Sequence, residues 1–242
     1  EIREQMGFCF YRAALQAETH EDFRSRMKLA AEAYEKAAEL FEKVEEEGKR
    51  ARINHSKAMA ASASYWLATN PSKKRELLDE CSKLEKEVLK DYEKAEDRLG
   101  YGKVCNELLE RCSAHRIWLA LNWSELERII EEAFSYGEKA VVALSEAGDG
   151  YELARAYSWT SWYYGWAVFY RALEDKREEF GQRCLSYSKK ALELSEKIGD
   201  SYLIGTSNYP AALGAFFYDV NPYSALEFFE GQQKHGAIAR DN

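Results

Sequence analysis

Residues 126–149 read LERIIEEAFSYGEKAVVALSEAGD, and residues 177–200 read REEFGQRCLSYSKKALELSEKIGD. In each stretch the apolar side chains recur at steps of three and four residues, which places them on one face of a helix. Each stretch ends in Gly-Asp, where Gly can adopt the left-handed conformation that ends a helix and Asp can cap the next helix. We therefore predict amphipathic surface helices over residues 126–144 and 180–198, each followed at once by another helix.

The same amphipathic pattern occurs twice more upstream, at residues 27–44 and 77–95. A second kind of segment alternates with these helices and is apolar on several sides, which is typical of a helix buried between neighbours. These segments are residues 51–68, 104–121, 151–173 and 202–218. The alternation predicts antiparallel helix pairs, each with one outer and one inner helix.

The alternation keeps a fixed period. Tyr34, Leu84, Tyr136 and Tyr187 occupy equivalent positions, at separations of 50, 52 and 51 residues. A fixed period with one helix pair per unit is the signature of an α-solenoid. We therefore predict an all-α fold, an α-solenoid of about four to five antiparallel helix pairs with a period near 50 residues, formed by residues 1–242 as a single domain.

The charged residues of the chain indicate which classes of binding partner are unfavourable. The 242 residues include 34 Lys and Arg against 42 Asp and Glu, a formal net charge of −8. Because an acidic protein repels nucleic-acid phosphates and anionic lipid surfaces, we expect neither nucleic acid nor membrane as a partner. The five cysteines form no disulfide framework, and no signal peptide or membrane-spanning stretch is visible, which favours a cytoplasmic location. The chain begins at Glu1 rather than Met, as expected of a piece of a longer protein.

The most distinctive local feature is the aromatic segment within residues 151–173. Trp159, Trp162, Tyr163, Trp166 and Tyr170 fall on one face at helical spacing. One interpretation is a binding surface, on which flat amphipathic rings grip a peptide or stack on a sugar. The other is core packing, because large apolar side chains are mostly buried. We predict these five residues as the partner- or ligand-binding site, with core packing as the alternative.

The other candidate sites have incomplete motifs. Cys105, Cys112 and His115 share a helix face, but a zinc site needs four ligands and no fourth ligand is evident. Residues 99–103 read LGYGK, which lacks the full phosphate-loop pattern and a preceding strand, and we interpret them as a turn between two helices. No local motif selects a catalytic triad or a di-iron site. We predict no catalytic residues, no metal and no cofactor, and therefore no enzyme.

The helix pairs, the Ala-rich buried faces and the Lys139-Ala140 pair resemble the tetratricopeptide superfamily over roughly residues 25–220. The standard unit of that family has about 34 residues, whereas the units here are longer. Long-helix variants occur in the sensor arms of signal-transduction ATPases and transcription activators, and this chain is similar to those. The resemblance implies a concave surface that holds a peptide, a protein or a small inducer.

Two functions follow as hypotheses. The first is a non-catalytic scaffold that binds a protein or peptide partner on a concave helical surface. The second is a domain of a larger signal-transduction or transcription regulator that senses a small molecule, such as a sugar or metabolite. An open array also exposes its terminal helices, so a homodimer is a further expectation. In that case Phe228 and Phe229 either seal the last repeat or face a second copy.

Overall fold

The structure is a computed structural model that describes residues 2–45, 48–170 and 174–241. Within these ranges every regular element is a helix, and no residue lies in a β-strand. The predicted all-α class is therefore confirmed for the described part of the chain. Where the prediction extends to residues 171–173, at the end of the aromatic segment, it lies outside the described residues.

The helices follow one another along the chain with short connections. They are α1 (Ile2–Leu15), α2 (His20–Glu42), α3 (Lys49–Leu67), α4 (Pro71–Lys94), α5 (Arg98–Glu107), a π-helical segment (Leu108–Ser113), α6 (Ala114–Ile117), α7 (Trp123–Ala147), α8 (Gly150–Tyr170), a 3₁₀ turn (Glu174–Lys176), α9 (Arg177–Ile198), α10 (Ser201–Phe217) and α11 (Pro222–Asp241).

The helices divide into two compact units. The first comprises Glu1–Asp97 with Ala114–Leu119, and the second comprises Arg98–Ser113 with Ala120–Asn242. In the first unit, α2 packs against α1 and α3, and α4 packs against α3 and α6. In the second unit, α7 packs against α5 and α8, while α10 packs against α8, α9 and α11. Neighbouring helices thus pack as pairs in both units, whereas the single domain over residues 1–242 stays a prediction.

The predicted caps are present at the helix boundaries. Gly148 and Gly199 adopt φ angles of +73° and +77°, the left-handed conformation that Gly accepts without steric cost. Asp149 Oδ1 accepts a hydrogen bond from the Glu152 backbone N–H at 3.0 Å, which satisfies one of the first N–H groups of α8. Asp200 caps α10 in the same way, with Leu203 as the donor at 2.8 Å. These two Gly-Asp pairs therefore end one helix and begin the next, as predicted.

The Asn residues that follow the inner helices also act as caps. Asn70 Oδ1 accepts from the Ser72 N–H at 2.8 Å, and Asn122 Oδ1 accepts from the Glu125 N–H at 2.9 Å. Pro71 is the first residue of α4, where a missing N–H costs no helical hydrogen bond. The boundaries of these helices are thus encoded locally, by residues that can be recognised in the sequence.

Two predictions about helix extent are wrong. Residues 99–103 were expected to form a turn, but they lie inside α5. The predicted inner helix 104–121 is also interrupted, because it changes to π-helical geometry at Leu108–Ser113 and ends at Ile117. The two glycines of residues 99–103 are accommodated within α5, where Leu144 of α7 lies too close to Gly102 for a Cβ atom to fit.

The thiols give a direct test of this packing. Cys9 is exposed, whereas Cys81, Cys105, Cys112 and Cys184 are buried and none of the five forms a disulfide. Burial raises the pKa of the Cys184 thiol to about 12. Because the thiolate is the reactive form, we expect a thiol reagent such as Ellman's to modify one equivalent rapidly in the native protein and five after denaturation. Rapid modification of two or more thiols in the native protein would contradict the packing described here.

No helix among the described residues combines the length and the apolar character that crossing a bilayer requires.

Candidate functional site

Helix α8 carries the predicted site, and close packing fixes its position in the second unit. Small residues let neighbouring helices approach it. A Cβ atom at Gly137 of α7 would overlap the Thr160 side chain, and a Cβ atom at Gly165 would lie 3.1 Å from Leu213 of α10. The Ser161 hydroxyl donates to the backbone carbonyl of Cys184 in α9 at 2.7 Å. One side of α8 therefore packs against α7, α9 and α10, and another side remains for the aromatic residues.

Tyr163 lies on the packed side. Its side chain is 0% exposed, and its hydroxyl donates to the backbone carbonyl of Leu109 in the π-helical segment at 2.7 Å. Burial raises the pKa of Tyr163 well above its ordinary value, so the hydroxyl stays protonated and available as a donor. Tyr163 therefore packs inside the second unit and does not line its surface.

Four of the predicted residues form a continuous row of rings, which we call the aromatic ladder: Trp159, Trp162, Trp166 and Tyr170. Successive ring centroids lie 5.7, 5.6 and 5.2 Å apart, within the range of favourable aromatic contacts. The first two contacts are edge-to-face, and Trp166 stacks on Tyr170 with an interplanar angle of 22°. Trp162 is buried, whereas the other three rings are half-buried. The ladder is therefore a preorganised, partly exposed aromatic surface.

The ladder continues into a second group of rings at the end of α8, which we call the aromatic end cluster: Trp123, Phe169, Phe216 and Phe217. The Trp123 ring lies 6.1 Å from Tyr170. Phe169 lies 4.7 Å from Phe217, and Phe217 lies 5.0 Å from Phe216. Trp123, Phe169 and Phe216 are all exposed, and Trp123 has 60% of its surface open to solvent. Together the ladder and the end cluster form one contiguous aromatic surface contributed by α7, α8 and α10.

The end cluster follows no single helical periodicity, because its members come from three helices. Trp123 is the first residue of α7, and Phe217 is the last residue of α10. In an antiparallel helix pair the first residue of one helix lies beside the last residue of the next. Trp123 could therefore have been placed beside Tyr170 once α7 and α8 were recognised as partners. The position of α10 against α8 had no equivalent local signal.

A network of charged side chains lies at the opposite end of α8. The guanidinium of Arg155 forms ion pairs with Glu107, Glu110 and Glu152, with a nitrogen to oxygen distance of 2.8 Å to Glu152 and 3.5 Å to Glu107. Asn106 Nδ2 donates to Glu152 Oε2 at 2.9 Å. All of these side chains are largely buried. The network therefore joins α5 and the π-helical segment to α8 through buried charges.

Neighbouring carboxylates keep the Arg155 side chain in its charged form. Burial by itself would lower the pKa of this guanidinium, because a low-dielectric environment disfavours the charged form. The surrounding carboxylates of Glu110, Glu107 and Glu152 overcome that effect and raise the pKa well above its ordinary value. Arg155 therefore stays charged and offsets part of the negative charge of these carboxylates, which makes it a structural group rather than an acid or a base.

The three residues considered as zinc ligands do not all belong to the same unit. Cys105 and Cys112 are buried in the second unit. His115 belongs to the first unit, where its ring stacks on Tyr65 at 4.6 Å and meets Trp66 edge-on at 4.7 Å. Across residues 2–45, 48–170 and 174–241, no group of three or more His, Cys, Asp or Glu side chains is arranged to hold a metal ion.

The sequence matches no family model and no curated protein. Solved structures do show similarity to this chain. One of them, described as "Computational Design of Self-Assembling Cyclic Protein Homooligomers", is 14% identical over 99% of this chain and 92% of its own, with a TM-score of 0.32. A similarity at that TM-score carries no argument about fold, assembly or function.

Proposed function

We propose that this chain is a non-catalytic helical scaffold that binds a protein or peptide partner on the aromatic ladder and the aromatic end cluster. The observation that carries the proposal is the contiguous, partly exposed row of rings from Trp159 to Phe216. Large exposed apolar patches on soluble proteins mark interaction sites, and aromatic residues are enriched at the centres of interfaces. Rings that already contact one another also lose little conformational entropy when a partner binds.

The shape of this surface favours a peptide over a small ligand. Trp159 and Tyr170 are eleven residues apart on a straight helix, which corresponds to about 16 Å along its axis. An extended peptide covers that length with about five residues at roughly 3.3 Å each. A row of rings with this length, open along one side, suits a chain better than it suits a compact molecule.

We also propose that the scaffold is a tetratricopeptide-like solenoid with a period near 50 residues. Ala38, Val88, Ala140 and Ala191 lie at equivalent positions of the proposed period, and all four are buried on the outer helices α2, α4, α7 and α9. The equivalent caps at Asp149 and Asp200 support the same proposal for the last two units. Such a scaffold places the aromatic ladder on the inner helix α8.

Selection of binding peptides tests the proposed function. Phage-displayed random peptides are selected on the whole chain, and the affinity of the enriched peptides is then measured for the wild type and for Trp123→Ala. Because truncation of a tryptophan in an interface can weaken binding strongly, we expect Kd to rise at least about tenfold. Trp118→Ala is the matched control, since Trp118 is 58% exposed and Trp123 is 60% exposed. We expect Trp118→Ala to change Kd less than about twofold.

Two outcomes would count against the proposed site. In one, the enriched peptides bind Trp123→Ala as tightly as they bind the wild type. In the other, Trp118→Ala weakens binding as much as Trp123→Ala does. Circular dichroism and thermal unfolding of both variants establish that any loss of affinity is not a loss of folding.

A small-molecule sensor is a second candidate function, favoured by an open groove of about 570 Å³ between α8 and α9. Its lining includes Tyr157, Glu193 and Lys190, and the Lys190 ammonium lies 5.3 Å from the centre of the Tyr157 ring. This volume is within the range of small-molecule sites. Intrinsic fluorescence during titration with sugars and metabolites tests this function. A saturable change that Tyr157→Ala abolishes would support it, and no change with any ligand would leave the peptide scaffold as the better account.

Self-association is a further proposal for the last helix. Phe228 and Phe229 are half-buried. The Phe229 ring lies 6.2 Å from the ring of Tyr209 in α10, so that it covers part of the contact between α10 and α11. Tyr223 and Leu226 on the same helix are exposed. Sedimentation equilibrium of the wild type and of Leu226→Asp measures whether a homodimer forms through this helix.

A further inference from the structure

A groove in the first unit has a charge opposite to that of the whole chain. It lies between α4 and α6, has a volume of about 420 Å³, and is lined by Lys83, Lys86, Lys90 and Arg116. Its lining also includes two carboxylates, those of Asp79 and Glu87. A chain with a formal charge of −8 thus presents four cationic side chains around one concave site.

The two carboxylates of this groove are already engaged. Asp79 pairs with Arg116 at 3.5 Å, and Glu87 accepts a hydrogen bond from Asn54 Nδ2 at 3.1 Å. Lys83 and Lys90 are exposed, and among the described residues neither forms an ion pair. With four cationic and two anionic side chains in its lining, the groove keeps a net positive charge, to which Lys83 and Lys90 contribute outside any ion pair of the described residues.

The three lysines are held close together by the helix that carries them. Their spacing of three and four residues places them on one face of α4, with the outer two about 10 Å apart along the helix axis. Like charges at this spacing repel one another, and an anion in the groove would relieve the repulsion of all three at once. Arg116 approaches from α6 and adds a fourth positive charge at the edge of the groove.

We propose that this groove binds a small anion that carries two or more linked phosphate groups. Linked phosphates place several negative charges within the span of the three ammonium groups, and phosphate is the anion for which Lys and Arg are the usual ligands. The volume of the groove matches a small molecule. A nucleic acid is disfavoured, because its long run of phosphates would extend past the groove onto an otherwise acidic chain. The groove and the aromatic surface belong to different units, so this proposal does not rest on the proposed function.

Calorimetric titration of the whole chain tests the proposal, with inorganic tripolyphosphate and ATP as separate probes. The test variant is Lys83→Gln/Lys86→Gln/Lys90→Gln. We expect saturable binding to the wild type and a rise in Kd of at least about tenfold in the variant, since three charge pairs are lost. Equal affinities for the two probes would identify the phosphate chain as the whole ligand. Tighter binding of ATP that adenosine competes away would identify a nucleotide.

A second triple variant serves as the matched control, with the same change in net charge in the same unit. It is Lys28→Gln/Lys36→Gln/Lys57→Gln, whose lysines are exposed and lie outside the groove. We expect it to bind both probes within about twofold of the wild type. The proposal is overturned if the wild type binds neither probe, if the control variant loses as much affinity as the groove variant, or if a polyglutamate peptide binds more tightly than tripolyphosphate.

Discussion

Replacing Tyr163 with alanine is expected to lower the free energy of unfolding by about 3–5 kcal/mol, the usual effect of removing a large buried aromatic side chain. The ring is fully buried, so the substitution leaves a cavity. It also removes the donor to the Leu109 carbonyl, which is then left buried without this hydrogen bond. Urea denaturation monitored by circular dichroism measures the difference in the free energy of unfolding.

Two control variants separate the components of this effect. Tyr163→Phe keeps the ring and removes only the hydroxyl, so we expect a loss of about 1–3 kcal/mol. Trp159→Ala removes a half-buried ring of the ladder, and we expect it to cost less stability than Tyr163→Ala. If Tyr163→Ala proved as stable as the wild type, the description of Tyr163 as a core residue would be wrong.

Replacing Arg155 with leucine is expected to have a comparable effect, a loss of about 3–5 kcal/mol in the free energy of unfolding. The guanidinium forms ion pairs with Glu107, Glu110 and Glu152 at largely buried positions. Glu107 also pairs with a second cation, Arg111. Without it, these carboxylates face one another in a poorly solvated site and lose their shared partner. The same denaturation experiment measures this loss, and a second substitution tests its cause. Because Arg155→Leu/Glu110→Leu removes one of the stranded charges, we expect it to be more stable than Arg155→Leu alone.

The matched control for Arg155 is Arg183→Leu. Arg183 pairs with Glu138 and Glu179 at a more exposed position, with 41% of its side chain open to solvent. Pairs between exposed groups contribute about 0–1 kcal/mol, so we expect a small loss in this variant. A loss for Arg155→Leu that is no larger than the loss for Arg183→Leu would mean that the network does not stabilise the second unit.

The helices were predictable because the residue types at their ends specify where a helix begins or ends. Asp149 and Asp200 cap helices through their own side chains, and Gly148 and Gly199 take the conformation that Gly alone accepts readily. The π-helical segment at residues 108–113 was not predictable, because no local residue type specifies it. Its geometry instead accompanies contacts that are distant in the sequence, such as the hydrogen bond from Tyr163.

The candidate site was predictable only in part, for a geometric reason. Trp159, Trp162 and Trp166 recur at helical spacing, and their rings contact one another in one row. Tyr163 follows Trp162 directly, and the turn of about 100° between successive helical residues directs it towards the π-helical segment. Which side of the helix faces a neighbour depends on tertiary packing, which periodicity alone does not reveal. The same limit applies to Phe216, because the approach of α10 to α8 is not encoded in either helix.

The buried charges were not expected, because residues 104–121 were interpreted as a segment that is apolar on several sides. Glu107 and Glu110 lie in that segment, and their partner Arg155 lies 45 residues or more away. A charge in an apolar helix becomes understandable only when its partner is known. Buried charge pairs that join distant helices are therefore the part of this fold that sequence analysis misses most easily.

Photo-crosslinking tests most directly whether the aromatic surface is the binding site. A peptide obtained by selection on the whole chain is synthesised with a photoreactive group at its centre, and the crosslinked residues are identified by mass spectrometry. The proposed function predicts crosslinks on the exposed side of α8 and at the start of α7, near Trp166, Tyr170 and Trp123. Crosslinks confined to the α8–α9 groove beside Tyr157, or to the first unit, would contradict it.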